Sequence, residues 1–141
     1  MITISVRVGD RGEKRLTAID ASKDMISYTY DRVHDKTLPK SDRWLMAKTI
    51  WDDASMARAL IVRSNGIKVE NKEEAKERIL MEKQAIAYLD SLNSNIDLLH
   101  IKGIISDDRA EFWTDLVTKT QNLTKARLKA NKNSYKELLN N

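Results

Sequence analysis

The chain contains no cysteine. Disulfides and thiolate metal sites are therefore excluded, and the composition suits a reducing cytoplasm. Proline occurs once, as Pro39, and glycine only four times in 141 residues. So few breakers suit helices, and glycine is too scarce for a loop that cradles nucleotide phosphates. No apolar run approaches the roughly 20 residues that a membrane-spanning helix needs. No signal peptide opens the chain, so the expectation is a cytoplasmic protein with no membrane role. There is no His-Glu-x-x-His pair, no nucleophilic cysteine and no Ser-His-acid set in a recognisable context. Catalysis thus has no support: no catalytic residue, no cofactor and no metal are assigned, and the expectation is a protein that is not an enzyme.

What is present is charge and periodic apolarity. Hydrophobic residues make up 41% and charged residues 33%, with a net charge of +4. The length fits one domain with a core of its own. The central stretch is Ala75 to Ile101, which holds neither proline nor glycine. Ile79, Ile86 and Asn93 recur every seven residues, with Leu89 and Ile96 between them. That spacing places them on one face of a long helix, while Glu77, Lys83, Asp90 and Asp97 take the flank. Glu82 and Asn93 also fall on the buried stripe. They read as a polar site inside the bundle, as register-setting residues, or as contacts to a neighbouring subunit.

Partners for this helix lie on both sides of it. Leu16, Ile19, Ile26, Tyr30 and Val33 predict a helix from Glu13 to about Lys36. After the break at Thr37-Leu38-Pro39-Lys40, Ser41 is the expected N-cap of a second helix, from about Asp42 to Ser64. Its face carries Trp44, Ala47, Trp51, Ala54 and Ile61, and Ser64-Asn65-Gly66 ends it. The third helix begins near Lys72, with Glu73, Glu74 and Glu77 at the positive end of its dipole. Gly103 stops it. Ser106 caps a fourth helix, from about Asp107 to Lys129, whose buried face is marked by Trp113, Leu116, Leu123 and Ala126. Four helices with short links predict an all-α, up-down-up-down four-helix bundle over residues 13–130. Residues 131–141 form a polar tail. Residues 1–12 form an extension in which Ile2, Ile4, Val6 and Val8 alternate like a strand. A lone strand pairs with another copy or lies as a tail.

The clearest charge asymmetry lies near the end. Lys119, Lys125, Arg127, Lys129, Lys132 and Lys136 follow one another with no Asp or Glu between them. The strip is a candidate surface for the phosphate backbone of RNA or DNA; alternatively it is a solvated face suited to a helix C-terminus. The two histidines each close an Asp-x-x-His pattern, Asp31 with His34 and Asp97 with His100. An acid and a histidine at that spacing resemble part of a di-iron bundle site, but such sites use Glu and sit inside the core. A histidine at a helix end is favourable without any metal. Trp44, Trp51 and Trp113 could stack on bases, though their helical spacing fits core packing.

A further pattern runs from Leu38 to about Tyr135: Leu38-Pro39-Lys40, Arg43-Trp44, Arg78, Gln84-Ala85 and the stretch from Asn95 to Leu99. Gly103-Ile104-Ile105-Ser106 and Phe112-Trp113 complete it, with Tyr28-Thr29-Tyr30 upstream. On these residues the chain resembles a group of small bacterial four-helix-bundle proteins. That group includes the accessory variability protein of diversity-generating retroelements and related phage and mobile-element proteins. The resemblance implies a positively charged, ring-shaped homo-oligomer, a pentamer in the accessory variability protein. It also implies binding to nucleic acid and to the retroelement's reverse transcriptase. The other reading is a structural or protein-interaction bundle of a phage or mobile element, with no nucleic-acid role.

Overall fold

The computed structural model describes residues 16–36, 38 and 40–141, without the side chains of residues 42–44. The expected strand and turn of residues 1–12, the start of the first helix at Glu13, Pro39, and the side chains of Arg43 and Trp44 lie outside the described residues. The remainder is a four-helix bundle: α1 (Ala18–Val33), α2 (Lys40–Gly66), α3 (Lys72–Ile101) and α4 (Asp107–Ser134), followed by the short α5 (Lys136–Asn140). No strand occurs among the described residues. Helix α1 packs on α2 and α4, and α3 packs on α2 and α4.

Each boundary has a local cause. Thr17 and Asp20 form a reciprocal capping box at the start of α1. The Asn71 side chain accepts from the Glu74 N–H at 2.9 Å, and the Ser106 hydroxyl accepts from the Arg109 N–H at 3.2 Å. Both satisfy donors that a helix start leaves open. At the end of α3, Gly103 turns left-handed with φ 72°. Ile104 N–H then reaches the Leu99 carbonyl, and Gly103 N–H reaches that of His100, each at 2.9 Å. This Schellman arrangement closes the helix and folds Ile104 back onto the apolar core. A Cβ at Gly103 would meet no atom within 4 Å, so only the backbone conformation resists substitution. Gly103→Ala is expected to cost about 1 kcal/mol in chemical denaturation. Gly66→Ala, at a position of ordinary φ and open space, is the control and is expected to cost nothing.

Several boundaries differ from the expectation. Helix α2 begins at Lys40, so Ser41 lies within it rather than capping it. Helix α4 runs on to Ser134, five residues past the expected end at Lys129, and part of the polar tail forms α5. The extension has a reason: Asn131 and Tyr135, which read as tail residues, have partners on α3, as described below.

The core runs through Met25, Ile50, Ala54, Ala57, Ile61, Leu89, Leu92, Ile96, Trp113 and Val117. Alanines at 54, 57, 75 and 85 are fully buried, which lets backbones approach closely. Sequence periodicity misjudged α1. Tyr30 is 52% exposed and Leu16 38% exposed, while Ser22 and Thr29 are fully buried. Small polar residues can line that face because their hydroxyls are satisfied within the helix: Ser22 donates to the Ile19 carbonyl and Thr29 to that of Met25. Thr120 and Thr124 do the same in α4, at 2.9 and 2.8 Å. Ala126, expected on the buried face, is exposed.

Candidate nucleic-acid interface

The candidate strip divides in two when α4 is seen in three dimensions. Lys119, Lys125, Lys129, Lys132 and Lys136 are exposed, and none has an ion pair or hydrogen bond among the described residues. Lys125, Lys129 and Lys132 stand at i, i+4 and i+7, so they form one line along the helix. Lys136 follows four residues later in α5. Lys119 stands six residues before Lys125, about 120° around the helix from it. It belongs to the exposed surface but not to the line.

Arg127 is not on that surface. It shares the face of Thr120, Thr124 and Asn131, all of them buried. Its side chain is 19% exposed, and its Nε lies 3.3 Å from Oε2 of Glu82, a residue of α3 that is fully buried. Its second guanidinium nitrogen donates to the Asn65 side chain of α2. Asn131 Nδ2 donates to the same Glu82 oxygen at 2.6 Å. Arg78 stands beside them, donating to the Ile67 carbonyl at 3.2 Å and to the Tyr135 hydroxyl at 3.5 Å. The residues that end α2, begin α3 and end α4 thus meet in one polar cluster around the buried Glu82 and Asn131.

Electrostatics within the cluster has a definite direction. Burial raises the Glu82 carboxyl above its ordinary value, against the hydrogen bond from Asn131 and the charges of Arg127 and Arg78. Burial and the charge of Arg78 lower Arg127, against the pull of Glu82 and Tyr135. Both shifts favour neutral forms, so lost hydration outweighs the mutual attraction. The pair acts as a structural clasp whose halves are costly to separate, and its burial keeps the Arg127 guanidinium away from a partner.

Sequence reasoning missed Lys76 and Lys83. These α3 residues line one groove with Ile79, Leu80 and Leu139 of α5. Both are exposed, and Leu139 of α5, the short helix that also carries Lys136, meets them in the groove. Their seven-residue spacing is the available signal, but it falls on the flank of α3 that suits solvent.

The other candidates are placed as follows. Trp113 is buried, and Trp51 is half-buried with its ring edge-on to Tyr30 at 5.9 Å. Trp113 belongs to the core, and Trp51 packs against it. His34 Nδ1 lies 2.8 Å from the Tyr30 carbonyl. His100 Nε2 lies 2.5 Å from Asp107, a residue of α4, and not against Asp97. Among the described residues no three His, Asp or Glu side chains converge as metal ligands.

Fold and surface together define the class: an all-helical four-helix bundle with a cationic line on its last long helix. Among the described residues no helix is long and apolar enough to cross a membrane. No protein-family model matches the chain, and no curated protein matches it.

Proposed function

We propose that this is a non-enzymatic accessory protein that binds RNA or DNA through the lysine line of α4. It works as a homo-oligomer in the cytoplasm, a pentamer by the resemblance described above, and serves a partner reverse transcriptase. The observation that supports the nucleic-acid contact is the line itself, Lys125, Lys129 and Lys132, with Lys136 just beyond the end of α4; all four are exposed and without a carboxylate partner among the described residues. Unpaired ammonium groups in a row suit a polyanion, because each phosphate contact releases a condensed counterion. In a ring the line recurs once per copy and its potential adds. The oligomer and the reverse transcriptase rest on the sequence resemblance. The proposal takes the bundle as up-down-up-down, in keeping with the short links and with the packing of each long helix on its chain neighbours.

The test is charge reversal. Lys125→Glu, Lys129→Glu and Lys132→Glu together are expected to weaken binding to a labelled oligonucleotide roughly 100-fold near 0.1 M salt. The helical circular dichroism is expected to stay unchanged, since no described contact is lost. Binding that survives the reversal rejects the line as the contact. Arg127 is deliberately left out, because its substitution would report on folding.

One observation favours a second reading, a bundle whose duty is protein interaction alone. Leu45 is 70% exposed and Ile101 is 71% exposed. That reading expects no nucleic-acid binding at physiological salt and a loss of partner capture when both become Ser.

A further inference from the structure

A groove of about 390 Å³ runs between α2 and α3, away from the lysine line. Asp53 borders it and is only 9% exposed. Its Oδ2 accepts from the Ser91 hydroxyl at 2.8 Å and from the Asn95 amide at 3.0 Å. Both neighbours donate, so the carboxylate is held as an acceptor, yet no cation pairs with it among the described residues. Its chain neighbour Asp52 does have one, since Lys48 Nζ stands 2.7 Å from it. Buried carboxylates are ordinarily paired with a cation, so Asp53 is an exception that calls for a reason. The groove walls supply apolar surface through Met56, Leu60 and Ala87, and an aromatic ring through Tyr88.

The geometry points to a recognition site for one basic side chain, lysine or arginine, presented by a partner protein. A single carboxylate beside apolar walls matches one cationic head on an aliphatic stem. Tyr88 adds an aromatic ring to the walls that a cation would meet. A free polyamine fits poorly, because the groove lining offers its further ammonium groups no second carboxylate. This site is independent of the nucleic-acid proposal: it lies on other helices and attracts the opposite charge.

The experiment uses the full chain labelled with ¹⁵N. Nα-acetyl-lysine methylamide and its arginine counterpart are titrated while the amide signals of Ser91 and Asn95 are followed. The expected result is saturable shifts from at least one cationic probe, and binding at least roughly tenfold weaker for the uncharged norleucine analogue. Asp53→Asn keeps an oxygen for Ser91 and Asn95 but removes the charge, and is expected to abolish the preference for the cation. Ala87→Lys adds an internal ammonium at the exposed groove wall and is expected to block the probes without touching the core. Equal binding of lysine and norleucine probes, or an unchanged preference in Asp53→Asn, overturns the site. Spermidine binding more tightly than either amino-acid probe overturns its assignment to a side chain.

Discussion

Trp113→Ala is expected to lower stability by about 4 kcal/mol, the largest loss from any single change considered. Trp113 is 1% exposed and is among the largest fully buried side chains. Its ring stands edge-on to Tyr28 with centroids 6.0 Å apart. Its Nε1 donates to the Thr29 hydroxyl at 3.0 Å, tying α4 to α1. That hydroxyl in turn donates to the Met25 carbonyl at 2.8 Å. The direction of this chain sets an order among milder variants. Trp113→Phe removes the donor but leaves Thr29 still bonded to Met25, so its cost is mainly lost volume, about 1 to 2 kcal/mol. Thr29→Val strands a buried indole N–H and is expected to cost about 2 kcal/mol. Urea denaturation of the three variants checks the order; Trp113→Phe proving worse than Trp113→Ala would contradict it.

Arg127→Met is expected to cost about 3 kcal/mol at pH 8, with a loss that shrinks as pH falls. The substitution keeps much of the stem's volume, so the cost comes mainly from leaving Glu82 as a buried charge without its clasp. The sign of the pH effect follows from the shift at Glu82. Its folded-state value lies above the ordinary 4.5, because burial outweighs the hydrogen bond from Asn131 and the two arginines. The folded state therefore holds the proton more tightly than the unfolded state does. Stability at this residue is greatest at low pH and is lost as pH rises from about 4.5 through the raised value. Removing Arg127 removes one of the forces that lower Glu82, so the raised value climbs and the window widens. Adding Glu82→Gln to Arg127→Met is expected to recover part of the loss and to flatten the pH dependence. Denaturation at pH 5 and pH 8 gives both numbers. A loss that is the same at both pH values would show that Glu82 is not the group left stranded.

Trp113 and Arg127 differ in how far the amino-acid sequence alone marks their place. Trp113 stands at helical spacing on an apolar face, and its burial followed from that pattern. Gly103 and Ser106 announced the α3–α4 turn by residue type alone, because a left-handed stop and a hydroxyl cap have local causes. Glu82 was visible as an acid on an apolar stripe. Its partner was not, because nothing in a charge run distinguishes Arg127 from the lysines on either side of it. Only its phase, with Thr120 and Thr124 on the same face, marks Arg127 as inward, and threonines do not advertise burial. They are buried here because each hydroxyl is satisfied by its own helix. The groove residue Asp53 was invisible for a related reason: its neighbours Ser91 and Asn95 come from another helix, at sequence distances no periodicity reports.

The division within the strip separates two kinds of substitution. Changes at Lys125, Lys129, Lys132 and Lys136 are expected to alter binding and spare the fold. Changes at Arg127 are expected to alter the fold, and binding only through it.

The most direct test of that claim is the salt dependence of affinity for a labelled duplex, measured by anisotropy from roughly 50 to 200 mM salt. With four lysines in contact, the logarithm of the association constant is expected to fall against the logarithm of salt with a slope near −3 to −4 per copy. Replacing Lys125, Lys129, Lys132 and Lys136 by Gln is expected to bring that slope close to zero. A slope that is flat in the native chain, or unchanged in the variant, would contradict the assignment of this edge to nucleic acid.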